Sequence, residues 1–274
     1  MMKTILITGG ANGIGKGIAL HYLKKGYQVI AVGNSATNGK NLCDEAKSFG
    51  AEQNVFYIQG NLSLIKENKR ILEEVKNRFS VLDALVFCAS KHNKSYIETV
   101  ERFEFSFALD YLSRFIIAYG LKDCLDKSMN PTILNVCGTG MNGEVNWEDL
   151  QHRDNFAHQK VMMHGSRLND LSGVAFANND TVSKIKYILY NPWAVKTPGM
   201  TEYGSPLMKF AYKIIGKSIE EAVIPISELL DNPPSAAISA YRERKKLDIS
   251  LATYDREKAK KLYDLTIELL NQTQ

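Results

Sequence analysis

The sequence predicts an α/β fold, a doubly wound parallel sheet between helices in three αβα layers. Short apolar runs alternate with segments of helical period from residue 4 to about residue 190, the order that builds right-handed βαβ units. Runs such as VIAV, ALVF and TILNV are apolar on both faces, as strands of a sheet covered on both sides must be. The first run also passes through a glycine-rich turn straight into an amphipathic helix. No composition break or Pro/Ser/Gly-rich linker divides the 274 residues, so 1–274 reads as a single domain.

The elements follow in order. Residues 4–8 form the first strand. The turn after it holds Gly9, Gly10, Asn12, Gly13, Ile14 and Gly15, and helix 13–25 sets Ile14, Ile18, Ala19, Tyr22 and Leu23 on one face. Glycines let the chain turn tightly and let a phosphate approach the main chain, while the helix start offers free N–H groups and the positive end of its dipole. Strand, glycine turn and helix together have the shape that receives the pyrophosphate of a dinucleotide. The bland alternative is a glycine-rich turn in some other α/β fold. Further strands are predicted at 28–32, 55–59, 84–88, 132–136 and 186–190, with helices at 38–49, 63–79, 99–127 and 157–178.

Ligands in open α/β sheets bind beyond the carboxyl ends of strands. That makes 138–156 and 192–216, the segments after the fifth and sixth strands, the substrate-side loops. About 1–130 is then the dinucleotide-binding half. The second loop is rich in breakers: Pro192, Pro198, Gly199, Gly204 and Pro206. Segment 206–231 reads as helical until Asn232-Pro233-Pro234 breaks it. A C-terminal helix is expected at about 255–270, with Ala259, Leu262, Tyr263, Leu265 and Leu269 at helical spacing.

Composition excludes several classes. A net charge of +4 with dispersed Lys and Arg does not suggest nucleic acid. The densest basic cluster, Arg242, Arg244, Lys245 and Lys246, lacks interleaved aromatics and reads as a solvated face. Cys43, Cys88, Cys124 and Cys137 form no CxxC pair, so neither a metal site nor a disulfide framework is expected. No signal peptide is visible and no apolar stretch is long enough to span a bilayer, which points to a cytoplasmic protein without membrane contact.

Over essentially the whole chain these residues resemble the short-chain dehydrogenase/reductase family, whose domain is of Rossmann type. Thr8-Gly9-x-x-x-Gly13-Ile14-Gly15 has that family's glycine spacing. Asn61-Leu62-Ser63 stands where the family has Asp-Leu-Ser near the adenine. Leu82 to Ser90, including Cys88 and Ala89, occupies the place of LDxLVNNAG, and Phe107 to Phe115 that of the VNxLSHF helix. Asn191-Pro192-Trp193-Ala194-Val195-Lys196-Thr197 resembles HPGxVxT, the loop at the nicotinamide end, with Pro192, Val195 and Thr197 at its marked positions. The resemblance implies a nicotinamide dinucleotide, a small-molecule substrate and, since dimers and tetramers are frequent in the family, a homo-oligomer. The second strand ends Gly33-Asn34-Ser35 without the carboxylate that would hold the ribose hydroxyls of NAD. Asn34 and Ser35 can donate to a 2′-phosphate and Lys40 can add a point charge, so NADP(H) is favoured over NAD(H). A plain turn remains the alternative for Asn34-Ser35.

The family's chemistry uses a tyrosine, a lysine four residues later, a serine after the fifth strand and an asparagine on the preceding helix. This chain departs at each place. Gly138 falls on the serine, with Thr139 one residue on, and Asp110 falls on the asparagine, either as a buried acid or as a solvent-facing helix residue. One alignment, through Phe156 and Lys160, keeps the lysine and loses the phenol. The other, set by distance from Pro192 and preferred, puts Met163 on the tyrosine and Arg167 on the lysine. His164 is the histidine best placed to stand in as proton donor. His152 and His158 come behind it. Tyr111, Tyr190 and Tyr203 are further phenols within reach of a substrate, but Tyr111 and Tyr190 sit in apolar runs as core. The candidate catalytic residues are therefore Thr139, His164 and Lys160.

Three readings follow. The first is an NAD(P)-dependent oxidoreductase that reduces a carbonyl of a specialised metabolite with an atypical proton donor. The second is a catalytically silent dinucleotide-binding sensor or partner protein. The third is a lyase or isomerase on the same fold. Fold alone does not choose among them.

Overall fold

A computed structural model describes residues 2–180, 182–197 and 216–272. The first half builds β1 (Thr4–Thr8), α1 (Gly13–Lys24), β2 (Gln28–Gly33), α2 (Ala36–Ser48), β3 (Val55–Gln59), α3 (Ile65–Arg78) and β4 (Ala84–Phe87). Short helices α4 (Phe105–Phe107), α5 (Ser113–Gly120) and α6 (Lys122–Asp126) lead to β5 (Thr132–Val136). Then come α7 (His158–Asn179), β6 (Lys186–Asn191), α8 (Ile219–Asp231), β7 (Ile238–Arg242), β8 (Lys245–Lys246) and α9 (Arg256–Asn271).

All eight strands lie in one sheet in the order β3-β2-β1-β4-β5-β6-β7-β8. Every pairing is parallel except that of β7 with β8. The chain winds outward from β1 to β3, then crosses over to β4 and winds the other way. The switch between β1 and β4 opens a crevice beyond their carboxyl ends.

Period-two alternation divides the core. Leu6, Ile30, Val32, Leu85, Phe87 and Ile133 face one way, onto α3, α5, α7 and α9. Ile5, Ile7, Val29, Ala31, Val86 and Leu134 face the other, onto α1, α2 and α8. Helices α1 and α8 pack so closely that a Cβ on Gly17 would lie 2.5 Å from Ile219. Each fully buried Ile or Leu in these layers contributes about 2 kcal/mol.

The structure corrects the predicted elements in three places. The helix expected over 99–127 begins only at Phe105, because 97–104 turns back on itself through the Glu98–Glu104 bridge and Arg102 at φ 67°. It then widens into a π-helical turn over Ala108–Leu112. Strands β7 and β8 fall within the tail after Pro233-Pro234, where no strand is predicted. Of the helix expected over 206–231, the part from Ile219 is present. The span 198–215, which holds Tyr203 and most of the second substrate-side loop, lies outside the described residues.

Candidate dinucleotide crevice and the groups around it

The glycine turn is built by close backbone contact. Gly9 has φ +68°, and a Cβ there would stand 2.7 Å from the Ala89 nitrogen at the end of β4. A Cβ on Gly15 would stand 2.3 Å from the Gly9 oxygen, which is untenable. Gly9 N–H donates to the Val32 carbonyl (2.7 Å), pinning the turn to β2. Asn12 caps α1 by accepting from Gly13 N–H (2.8 Å). The first turn of α1 holds no acidic residue, so nothing there repels an anion from the positive helix end. A Cβ on Gly13 would meet the Thr197 side chain at 3.6 Å, so the loop after β6 closes over the helix start. Ile14 lies just behind it. Thr197 is held by Val195, whose carbonyl accepts its N–H (2.9 Å) and which bridges to Lys217. The structure thus gathers Gly9, Gly13, Gly15, Ala89 and Thr197 around one crevice, and these residues fit a dinucleotide's pyrophosphate.

Beside this crevice stand the ends of β2 and β3. Ser35 caps α2 by accepting from Asn38 N–H (3.2 Å), and its carbonyl accepts from the Tyr57 hydroxyl (2.8 Å). The capping role leaves the Ser35 hydroxyl proton to donate. Asn34 is exposed. Lys40 is tied to Asp44 at 2.5 Å, which competes with any 2′-phosphate for its charge. The Asn61 side chain accepts from Ser63 N–H and hydroxyl (3.1 and 2.7 Å), and Leu62 is buried in the core.

Beneath the crevice lies a buried cation. Arg114, from α5, is 4% exposed. It donates to the Ala89 carbonyl (2.9 Å), the Val136 carbonyl (3.0 Å), the Asn169 amide oxygen (3.3 Å) and the Asn135 amide oxygen. It thereby ties the carboxyl ends of β4 and β5 to α7. Asn169 also donates to the Asp110 carbonyl (3.0 Å). Burial pushes the Cys88 thiol, next to this network, up to about 12, so it stays protonated.

Asp110 sits on the π-helical turn, buried, with Arg114 at 3.9 Å on one side and His92 Nδ1 at 3.6 Å on the other. Of its two alternatives the structure selects the buried acid. Burial raises its pKa, while His92, Arg114, Ser90 and the Lys91 N–H pull it back down.

The loop after β5 is packed tightly against α7. A Cβ on Gly138 would lie 2.3 Å from Ser166 Oγ. The Ser166 hydroxyl of α7 therefore occupies the space a side chain at 138 would need. Arg167 donates to the Gly143 and Met141 carbonyls (3.0 and 3.3 Å), clamping the post-β5 loop onto α7. Thr139 is fully buried, its hydroxyl 2.9 Å from that of Tyr254. Next to it Asp170 accepts from Thr253 (2.7 Å) and from Gly140 N–H (3.2 Å). Burial raises Asp170 to about 6, against the lowering by these hydrogen bonds and by Arg167.

The structure corrects His164. It is 3% exposed, edge-on to His152 with ring centroids 4.6 Å apart. Burial, reinforced by His152, lowers its pKa to about 3. It is held neutral at physiological pH, and its Nε2 is buried away from solvent. Lys160 lies on the exposed side of α7. Thr139 is correspondingly closed to a ligand. Trp193, at φ 60°, is 56% exposed and stacked by Arg242 at 5.3 Å, so it walls the outer rim. Pro192 is half-buried beside it. The basic cluster near 242–246 is partly spent locally: Arg244 pairs with Glu228 (2.5 Å), and Arg242 donates to the Gly140 carbonyl (3.3 Å).

Sequence reasoning missed His92, Ser166 and Tyr254. His92 carried a usable signal, a titratable residue two positions after the segment in the place of NNAG. Ser166 and Tyr254 carried none, since their roles depend on packing across distant elements. Among the described residues no group of three or more His, Cys, Asp or Glu can hold a metal ion. No described helix is long and apolar enough to cross a membrane.

A family model, short chain dehydrogenase, matches residues 3–149. The human polyprenol dehydrogenase is 26% identical over 154 residues, 54% of this chain and 47% of that protein. The 3-oxoacyl-[acyl-carrier-protein] reductase FabG of Staphylococcus aureus is 36% identical over 87 residues, 31% of this chain and 35% of that protein. These matches span about half or less of each relative's length. Among solved structures, Pseudomonas aeruginosa RhlG in an NADP active-site complex superposes with a TM-score of 0.70. It is 18% identical, over 88% of this chain and 94% of that one, a likeness of fold.

Proposed function

The chain belongs to the short chain dehydrogenase family, and from that premise we propose that it is an NAD(P)-dependent oxidoreductase reducing a carbonyl of a small-molecule substrate. The observation that carries this reading is the closed glycine cradle, with Gly9 against Ala89 and Gly13 beneath Thr197. Gly9, Asn12, Gly13, Ile14 and Gly15 hold the pyrophosphate. Asn34, Ser35, Asn61 and Leu62 line the adenosine side, and Cys88, Ala89, Pro192, Val195 and Thr197 the nicotinamide side. When bound, the reduced dinucleotide supplies a hydride. The chain positions the carbonyl, excludes water and supplies the proton through a group other than the family's tyrosine. NADP(H) is the preferred form, because β2 ends without a carboxylate and Asn34 and Ser35 remain as donors. Loss of the usual serine and tyrosine together fits a substrate from specialised metabolism.

The same loss favours a second reading, a dinucleotide-binding sensor without turnover. NADPH fluorescence followed against a panel of ketones and aldehydes separates them. Decay with a panel member supports the reductase. Tight cofactor binding without decay supports the sensor, and failure to bind either dinucleotide defeats both.

A further inference from the structure

A carbonyl reductase must place a proton on the oxygen while the carbon receives a hydride, and His164, Thr139 and the usual tyrosine position are all unable to do so here. The segment after β4 offers a different group. Ala89 is fixed at the crevice floor, its nitrogen facing Gly9 and its carbonyl gripped by Arg114. Three residues further, His92 cannot lie more than about 10 Å from that floor. Its side chain is 35% exposed, open enough for a substrate to reach. Its Nδ1 faces Asp110 Oδ2 at 3.6 Å, and the Asp110 side chain is only 10% exposed.

We propose that His92 is the proton donor of this site and that Asp110 is its positioning residue. The separation of 3.6 Å is that of an ion pair rather than a hydrogen bond, and such contacts often tighten only when ligand binds. Asp110 is itself braced by Arg114 at 3.9 Å, so the carboxylate is held from behind. His158 of α7 packs edge-on to the His92 ring, centroids 6.1 Å apart, and Lys91 is its neighbour in the chain. With Nδ1 turned to Asp110, Nε2 is the nitrogen left for substrate. The step balances simply. The carbonyl carbon gains a hydride from the reduced dinucleotide, which is oxidised. The imidazolium form of His92 gives up its Nε2 proton, an O–H bond forms, and the neutral ring, left with Nδ1–H toward Asp110, regains a proton from solvent.

The proposal rests on the oxidoreductase reading, so its test has one arm independent of turnover. Ring ¹⁵N NMR of the protein without dinucleotide reports which nitrogen of neutral His92 holds the proton. Nδ1–H is expected in the wild type, moving toward the Nε2–H form in Asp110→Asn. An identical tautomer in both proteins overturns the dyad even if the protein turns over substrate. In the second arm, His92→Ala is expected to lower kcat about 100-fold, with NADPH affinity unchanged and activity partly restored by added imidazole. Wild-type kcat in His92→Ala overturns the proposal. A wild type that binds no dinucleotide in calorimetric titration defeats the oxidoreductase reading instead, while the NMR arm, which needs no dinucleotide, still decides the dyad.

Discussion

The hydroxyls of Thr139 and Tyr254 stand 2.9 Å apart in the buried interior, joining the loop after β5 to the turn before α9. Asp170 of α7 adds a second stitch by accepting from both Gly140 N–H and Thr253. The C-terminal segment is therefore part of the wall behind the site.

A double-mutant cycle measures that stitch. Thr139→Val and Tyr254→Phe are each expected to destabilise the fold, with a coupling of about 1 kcal/mol in urea denaturation. Strict additivity would show that the two hydroxyls do not depend on each other.

Arg114 is the cation on which the floor of the crevice depends. Arg114→Met removes donors from four oxygens and leaves Asp110 without its buried partner. The expected cost is about 3 kcal/mol, read as a lower denaturation midpoint. A change within experimental error would mean that water replaces the guanidinium.

His164 makes the fold acid-sensitive. Its folded pKa, about 3, lies below its unfolded value of 6.5, so the unfolded chain takes up the proton first. Its contribution to stability is complete above the unfolded value and is lost as pH falls toward the folded one. Asp170, raised to about 6, works in the opposite direction, but it is common to both proteins in a comparison of His164→Leu with wild type. The stability difference should move in favour of His164→Leu by about 2 kcal/mol between roughly pH 7 and pH 5. A difference independent of pH would place a charged, solvated histidine at 164.

Gly138 and Ser166 exclude each other's side chains. Placing a serine there by Gly138→Ser should destabilise the protein by about 1–3 kcal/mol. Adding Ser166→Ala should relieve most of that cost, since the 2.3 Å approach is to Oγ. Full stability of Gly138→Ser alone, in thermal denaturation, would contradict the packing described.

Much of this architecture is legible in the sequence because it is local. The first six strands carry near-continuous apolar runs, and the glycine turn sits between a strand and a helix, so both can be read without tertiary information. Strand β7 is harder. Ser239 and Ala240 are small, follow two prolines and become strand through pairing with β6. The break at Ala108–Leu112 is invisible because its residues keep helical spacing while the backbone widens. The pairing of His92 with Asp110 is a tertiary event, set by how far the post-β4 segment folds back over α5. His164 misleads for a related reason. A histidine at the right distance from an expected motif looks available in a string of letters, and only burial shows that it is neutral.

The central claim is that the turn from Gly9 to Gly15 receives a dinucleotide, and calorimetric titration with NADPH and NADH, on the wild type and on Gly15→Ala, tests it most directly. The account predicts that the wild type binds NADPH more tightly than NADH and that Gly15→Ala binds neither, because a Cβ there meets the Gly9 oxygen at 2.3 Å. Gly26→Ala, at φ +77° with nothing within 4 Å, serves as the control. It should cost about 1 kcal/mol of stability and leave binding intact. No heat of binding from either dinucleotide in the folded wild type would contradict the account.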